Sequence, residues 1–341
     1  MRKLQKSTGE FRREGRLPTV LPTPAMRRAS AAGFSLIELL VALAVLLSVS
    51  GIVMSALSQM AKTQGTVSNR TEMHSGVRSA TEVLQQEISQ AGRIALPAAV
   101  TLTSPVTVGT NSPTVSSSAG LFVNEQLVID TGPNQETVTL TGVGAGTITA
   151  TFANSHSSGA PITVAGAFSS GIVPPSAAPS SFPNGSDGSV LKLYGDINGD
   201  GNMVYVEYTC DTVGGNLYRN EMPFTQATKP SLTSAQVLLP NVLPNPNDLN
   251  NNPVPCFNYQ VQVVGTNYYV VNVAVTLTFQ TQNPDPQTGQ FQTETKALLY
   301  VSPRNVFEAW EMASMGLTNR IQLMPASVTN LLPCVESSKP C

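Results

Sequence analysis

Residues 33–61 read GFSLIELLVALAVLLSVSGIVMSALSQMA, and this stretch decides how the rest of the chain is placed. From Leu39 to Ala61 there are 23 consecutive residues without a charged side chain. A helix of about 20 apolar residues is long enough to cross the hydrocarbon core of a bilayer. The sequence therefore predicts one membrane-spanning helix.

The charges on the two sides of this segment differ in sign. Residues 1–33 contain eight Lys or Arg and two Glu, a net charge of +6, which leaves −8 for residues 34–341. The positive-inside bias keeps the basic flank cytoplasmic and exports the remainder. A cleaved secretory signal peptide is the alternative, but the apolar run is long for one and no small-x-small cleavage site follows it.

The composition argues against two classes of function. Only 12% of the residues are charged, compared with about 25% in an average soluble domain. Basic residues are scarce on the exported part, so no nucleic-acid partner is expected. The chain has two His and no nucleophile elbow, zinc-protease motif or phosphate loop, so the sequence predicts a protein that is not an enzyme.

Glu38 interrupts the apolar segment near its start. A carboxylate in this position costs on the order of 2.5 to 3.5 kcal/mol on the most lenient insertion scales, so it needs a cation. Cleavage between Gly33 and Phe34 would create an α-amino group at the same membrane depth, in the same subunit or in a neighbour. Assembly of subunits could then neutralise both charges.

Residues 33–42, GFSLIELLVA, resemble the class III signal of type IV prepilins and type II secretion pseudopilins. The resemblance implies cleavage after Gly33 by a prepilin peptidase, N-methylation of Phe34, and packing of the apolar helix with other pilins into a filament core. It also implies that Glu38, the fifth residue of the mature chain, governs subunit registration. The translation start stays open between Met1 and Met26.

The resemblance also implies a location and further partners. Before assembly, the helix lies in inner-membrane lipid as a single pass with the head in the periplasm, and it engages an inner-membrane assembly platform. After assembly, the subunit belongs to a pilus or pseudopilus, which can reach the cell surface.

Beyond the membrane segment, apolar residues recur every three or four positions, as on one face of a helix. Pro97 is expected to end this helix. We expect the face to dock on a folded head, the alternative being a free amphipathic helix or coiled-coil strand. The apolar positions are Met73, Val77, Ala80, Leu84, Ile88, Ala91 and Ala95.

The predicted fold class is α+β, with a long N-terminal helix packed on an antiparallel β-sheet head that carries an extra β-rich insertion. The inserted module is rich in Thr, Val, Ser and Gly, and its lone His156 is expected in a turn without a metal role. The predicted parts are a cleaved basic leader at 1–33, a helix at 34–95 with its membrane and filament-core part at 34–61, the inserted module at 96–170, a linker at 171–183, the head at 184–330 and a disulfide loop at 331–341.

Residues 301–306, VSPRNV, are similar to the end of the last head strand in PilW-type minor pilins and J-type type II secretion pseudopilins. The mature length of 308 residues is large for a repeating major subunit. The sequence therefore predicts a minor pilin of a type IV pilus, in the filament or in its tip or initiation complex. The alternatives are a J-type pseudopilin and, from another class, a membrane-tethered calcium-dependent adhesin.

The calcium alternative depends on one loop. Asp196, Asn198, Asp200 and Glu207 fit the pattern D-x-[DN]-x-[DN]-G-x5-E, whose oxygen ligands suit a Ca²⁺ ion. Residues 203–208 alternate like a strand, however, so Glu207 is the doubtful ligand. The other interpretation is a β-hairpin turn that binds nothing.

All four cysteines lie in the exported part, which suits disulfides. Cys334 and Cys341 enclose a short C-terminal loop like those of many pilins, and Cys210 would then pair with Cys256. A zinc site made of the four thiolates is the alternative, but no C-x-x-C pair is present.

Overall fold

The computed structural model describes residues 33–175 and 182–331. The chain divides into two compact units, one ending at Ser58 and one beginning at Gln59. Helix α1, Leu36–Gln90, supplies residues to both. Together with many antiparallel strands in several sheets, it makes the protein an α+β protein.

Helix α1 ends earlier than predicted, at Gln90 and not near residue 95. The chain turns at Gly92, whose φ of +82° lies in the left-handed region that favours glycine. A Cβ at Gly92 would lie 2.8 Å from a methyl group of Val306. Pro97 therefore follows the end of the helix without causing it.

The head contains two antiparallel sheets where the sequence predicted one. The first has the strand order β12-β11-β10-β9, and the second has the order β13-β15-β14 with β16 paired to β15. The strands are β9 Val190–Gly195, β10 Val204–Asp211, β11 Asn216–Pro223, β12 Val237–Pro240, β13 Val242–Leu243, β14 Phe257–Val264, β15 Asn267–Gln280 and β16 Thr293–Val301.

One stripe of α1 covers both of these sheets. The apolar face predicted from the sequence is buried over most of its length, with Leu84 and Ile88 fully inaccessible. This face shares a core with Val206 and Tyr208 of β10 and with Leu277 of β15. Burying each such side chain stabilises the fold by about 1.5 to 3 kcal/mol, which explains why the second half of the helix is held on the head.

The inserted module has a separate small core of Leu, Ile, Val, Ala and Phe side chains. Its strands form one four-stranded sheet, β1-β7-β3-β4, and one three-stranded sheet, β2-β6-β5. The strands are β1 Val100–Thr101, β2 Gly109–Asn111, β3 Gln126–Ile129, β4 Glu136–Thr139, β5 Gly142–Gly144, β6 Thr147–Phe152, β7 Pro161–Val164 and β8 Ala167–Phe168.

The C-terminal elements of the head pack against strands that come earlier in the chain. Helix α2, Arg304–Ser314, packs on β15, and strand β17, Ile321–Gln322, pairs in parallel with β8. Helix α3, Ala326–Thr329, then places Val328 against the face of the first sheet that α1 does not cover. That sheet is thus buried on both faces.

The linker predicted at 171–183 is wrong over its first residues. Ile172 and Val173 are fully buried, and Ile172 forms a β-bridge with Leu193. The Pro and Ser residues of this stretch suggested a loose connection, but its apolar pair packs against the edge of β9. Residues 176–181 lie outside the described part of the chain.

Candidate functional site

The described chain begins at the motif that the sequence singled out. Ser35 directly precedes α1, and its hydroxyl accepts a hydrogen bond from the backbone N–H of Glu38 at 3.2 Å. This is the contact that an N-capping serine makes with the first turn. Glu38 therefore sits where the partial positive charge of the helix N-terminus favours a carboxylate.

Nothing within residues 33–175 and 182–331 covers the apolar side chains between Phe34 and Ser58. Phe34 is 82% exposed and Leu36 is 78% exposed, and within the described residues no basic side chain pairs with Glu38. This helix is long and apolar enough to cross a membrane. Such a surface requires lipid or other protein chains around it.

A buried charged contact fixes the second half of α1 to the head. Glu87 accepts hydrogen bonds from the Arg219 guanidinium at 2.6 and 3.0 Å and from the Tyr208 hydroxyl. Burial, together with the Glu87 carboxylate, raises the pKa of Tyr208 above its usual range. The contact satisfies a carboxylate that would be costly to bury alone.

The end of α1 is held by the segment that resembled the last head strand of minor pilins. The side-chain amide of Asn305 donates to the carbonyl oxygen of Gln90 at 3.2 Å, so it caps the helix. The backbone N–H of Gly92 donates to the carbonyl oxygen of Tyr194 at 3.0 Å. The C-terminus of α1 is thereby attached to α2 and β9.

The structure does not bring the four calcium-pattern residues together. Asp196 is buried, with one oxygen accepting from the Gly201 N–H and the other 3.4 Å from Nε of Arg93. Asn198 donates to Glu221, and Asp200 lies in the exposed turn between β9 and β10. The described residues contain no group of three or more His, Cys, Asp or Glu placed to hold a metal ion.

Glu207, the fourth residue of that pattern, belongs to a different buried cluster. Its carboxylate lies 2.6 Å from Nζ of Lys229 and accepts from the Tyr205 hydroxyl at 2.9 Å. Lys192 is its neighbour in the β9–β10 register. Burial and the Lys229 ammonium lower the pKa of Lys192 to about 8. The carboxylate of Glu207 therefore pairs with the buried Lys229 side chain and not with a metal ion.

Two of the four cysteines lie within the described residues, and they are bonded to each other. Cys210 and Cys256 form a disulfide that joins β10 to the residue before β14. Both cysteines belong to the core that α1 covers, so the bond links the two sheets of the head from within that core. Cys334 and Cys341 lie outside the described residues, so their predicted pairing stays a prediction.

His156 is a residue whose role the sequence analysis missed. It is buried in the module, with Nδ1 3.2 Å from Asp130 and Nε2 2.7 Å from Glu136. Residues 98–170 contain no Lys or Arg, so His156 is their one side chain that can become a cation. That composition was the available signal. Both nitrogens can donate to the carboxylates only when the ring carries two protons.

The two carboxylates beside His156 are also held by backbone groups. The N–H of Thr131 and the His156 ring hold the pKa of Asp130 below its usual range. Burial opposes the charge on Glu136, but the Ala153 N–H and His156 outweigh it and lower the pKa of Glu136. The cluster joins β4 to the segment between β6 and β7.

Comparison with known proteins identifies one feature of the chain. Residues 28–54 match the family model described as the prokaryotic N-terminal methylation motif. No curated protein and no solved structure matches the chain. The matched residues include the predicted cleavage site, Glu38 and the first part of the exposed apolar helix.

Proposed function

The N-terminal methylation motif indicates a type IV pilin-like or pseudopilin protein, and from this premise we propose that the chain is a minor pilin of a type IV pilus. Prepilin peptidase cleaves it between Gly33 and Phe34, and Phe34 is then N-methylated. The subunit enters the filament, or its tip or initiation complex, through residues 34–61. Its role is structural.

The observation that carries this proposal is the uncovered apolar helix with one acid in its first turn. The side chains from Leu36 to Leu57 find no partner within the described chain, and Glu38 finds no cation there. Neighbouring pilin helices supply the apolar cover, and the Phe34 amino group of a subunit in the filament supplies the cation. Burial among helices strengthens this charge pair relative to water.

The proposal implies an order of locations and partners. The chain first inserts as a single pass in inner-membrane lipid, with its head in the periplasm. Prepilin peptidase and the inner-membrane assembly platform act on it there, and it then joins other pilins in the filament.

A J-type type II secretion pseudopilin is the second candidate, because the segment ending β16 and opening α2, with the helix-capping Asn305, resembles both types. Deletion of the gene distinguishes them. Loss of pili with normal protein secretion supports the minor pilin, and loss of secretion with normal pili supports the pseudopilin. The calcium-dependent adhesin receives no support from the geometry of Asp196, Asn198, Asp200 and Glu207.

The variant Glu38→Ala tests the assembly step. We expect normal membrane insertion but at least about tenfold less subunit in sheared filaments, because a charge pair worth more than about 1.4 kcal/mol is lost. The control is Glu82→Ala, which removes an exposed acid from the same helix. Equal incorporation of the two variants would show that Glu38 does not govern assembly.

A further inference from the structure

The second sheet of the head has an outer face, turned away from the core that α1 covers. Val273 and Val275 lie on either side of Ala274 in β15, and both belong to that core. Because side chains alternate along a strand, Ala274 lies on the outer face. It is partly exposed to solvent there.

A β-bulge in β16 lies beside Ala274. The pairing of β15 with β16 shifts by one residue between Val273 and Val275, so two residues of β16 face Ala274. One of the two is Tyr300, whose φ of +50° lies in the left-handed region. Glycine adopts this region freely, but a bulky side chain makes it a strained conformation. The fold therefore places backbone strain at an aromatic residue.

Tyr300 lines a surface pocket of about 320 Å³ on the outer face. Tyr300 is 66% exposed, and the other lining residues are Asn258, Tyr259, Gln260 and Ala274. Small-molecule sites have volumes of about 300 to 1,000 Å³, so this pocket suits a small ligand. None of the lining residues is charged.

Two amide side chains offer hydrogen-bond donors at this pocket. The Oδ1 atom of Asn258 accepts from the backbone N–H of Tyr259 at 2.9 Å, and the Oε1 atom of Gln260 accepts from Asn272 at 2.8 Å. No atom of the described residues accepts from the amide nitrogen of either side chain. Both Asn258 and Gln260 are exposed, so these amide N–H groups can donate to a ligand oxygen.

An exposed aromatic ring beside uncharged amides selects one class of ligand. A sugar ring has C–H groups on its faces, which pack on an aromatic ring, and hydroxyl groups at its rim, which bond to amides. A lipid tail would leave the amide donors without acceptors. A phosphate or carboxylate group would find no Lys or Arg in the lining.

We infer that Tyr300, Asn258 and Gln260 form a binding site for one neutral pyranose unit of an oligosaccharide. The sugar ring packs on the Tyr300 ring, and its hydroxyl oxygens accept from the two amides. Strained residues cluster at ligand sites, which agrees with the backbone conformation of Tyr300. The inference uses only residues of the unit that begins at Gln59, so it stands apart from the proposed function.

An array of immobilised oligosaccharides tests this inference on the full chain, kept in a detergent without a sugar headgroup. The array carries neutral chains of glucose, galactose, mannose and N-acetylglucosamine, together with sialylated and sulfated chains. The decisive variant is Tyr300→Asn, because asparagine tolerates the left-handed region and removes the ring without adding strain. Tyr300→Phe keeps the ring, and Phe291→Ala removes an exposed ring from the loop between β15 and β16.

We expect the parent, Tyr300→Phe and Phe291→Ala to retain at least one neutral chain equally. Tyr300→Asn should retain at least about tenfold less of it, because the aromatic contact is lost, with an unfolding midpoint no lower than the parent's. Asn258→Ala, at an exposed position, should also retain less, through loss of a donor.

Three results would overturn the inference. They are retention of no neutral chain by the parent, equal retention by the parent and Tyr300→Asn, and a preference for sialylated or sulfated chains. Each of them would leave the proposed function standing, because none involves the N-terminal helix.

Discussion

Residues 36–58 and the unit that begins at Gln59 differ in where their apolar side chains lie. In the first region Leu46 is 63% exposed and Ile52 is 71% exposed, whereas in the second Leu84 is fully buried. The part of α1 in the first region is apolar around its whole circumference. The part of α1 in the second region has one apolar stripe. A helix with a stripe packs on its own protein, but a helix that is apolar all round requires a partner from outside the described part of the chain.

The same contrast separates assembly from stability. Changes on the exposed helix should alter insertion or filament formation without altering the folding of the head. Changes in the head should lower its stability and leave the proposed cleavage after Gly33 unchanged. Each variant below is therefore measured both for unfolding and for processing.

The largest expected effect in the head comes from Glu87→Ala. It leaves the buried Tyr208 hydroxyl without its acceptor and Arg219 with the Glu221 carboxylate alone, and it should lower the free energy of unfolding by about 2 to 5 kcal/mol. Chemical denaturation of the full chain in detergent measures the loss, with Glu82→Ala as the exposed control. If the two variants unfold alike, the buried contact does not hold α1 on the head.

Replacing both Cys210 and Cys256 by Ser should have a similar or slightly smaller effect. The disulfide closes a loop with a sequence separation of 46 residues, for which the chain-entropy model gives about 4 kcal/mol. The midpoint of chemical unfolding measures this loss, and the proposed cleavage between Gly33 and Phe34 should continue in the folded fraction. A variant as stable as the parent would contradict the assignment of the pair as a structural link between the sheets.

A smaller effect is expected inside the module from His156→Gln. It removes the imidazole ring that lies between the carboxylates of Asp130 and Glu136 and should cost about 1 to 3 kcal/mol. Amide hydrogen exchange of residues 100–164 locates the loss, with exposed Ser155→Ala as the control. Faster exchange confined to the head sheets, with the module unchanged, would contradict a role for the cluster.

The same cluster predicts a dependence on acid. Because folding lowers the pKa of Asp130 and Glu136, their contribution is fully present above their ordinary pKa values, at about pH 5 and higher, and is lost as the pH falls through the lowered values of the folded state. Module exchange in the parent should therefore accelerate below pH 4. The dependence should be shallower in His156→Gln, and an equal slope in both proteins would contradict the argument.

The sequence predicted the parts of the fold that depend on local pattern. The spacing from Val77 to Ile88 predicted the docked face of α1, and the alternation of residues 203–208 predicted β10. It failed where distant residues decide the outcome. Gly92 ends the helix because Val306 leaves no room for a Cβ there and the Tyr194 carbonyl oxygen accepts its N–H, although Pro97 was the stronger local signal.

The candidate site was predicted to a similar extent. The motif at 33–42 is local, so it could be read directly. The spacing of Asp196 and Glu207 fitted a calcium loop, but tertiary structure pairs Asp196 with Arg93 and Glu207 with Lys229. His156 looked isolated because Asp130 and Glu136 are distant in sequence and become its neighbours only through the pairing of strands.

The mature N-terminus is the measurement that tests the central claim most directly. The full chain is co-expressed with a prepilin peptidase, purified from membranes and sequenced at its N-terminus by mass spectrometry. The account predicts a chain that begins at Phe34, with an added methyl group when the methyltransferase activity is present. An intact N-terminus, or a cut at another bond, would contradict it and leave residues 34–61 as a membrane anchor alone.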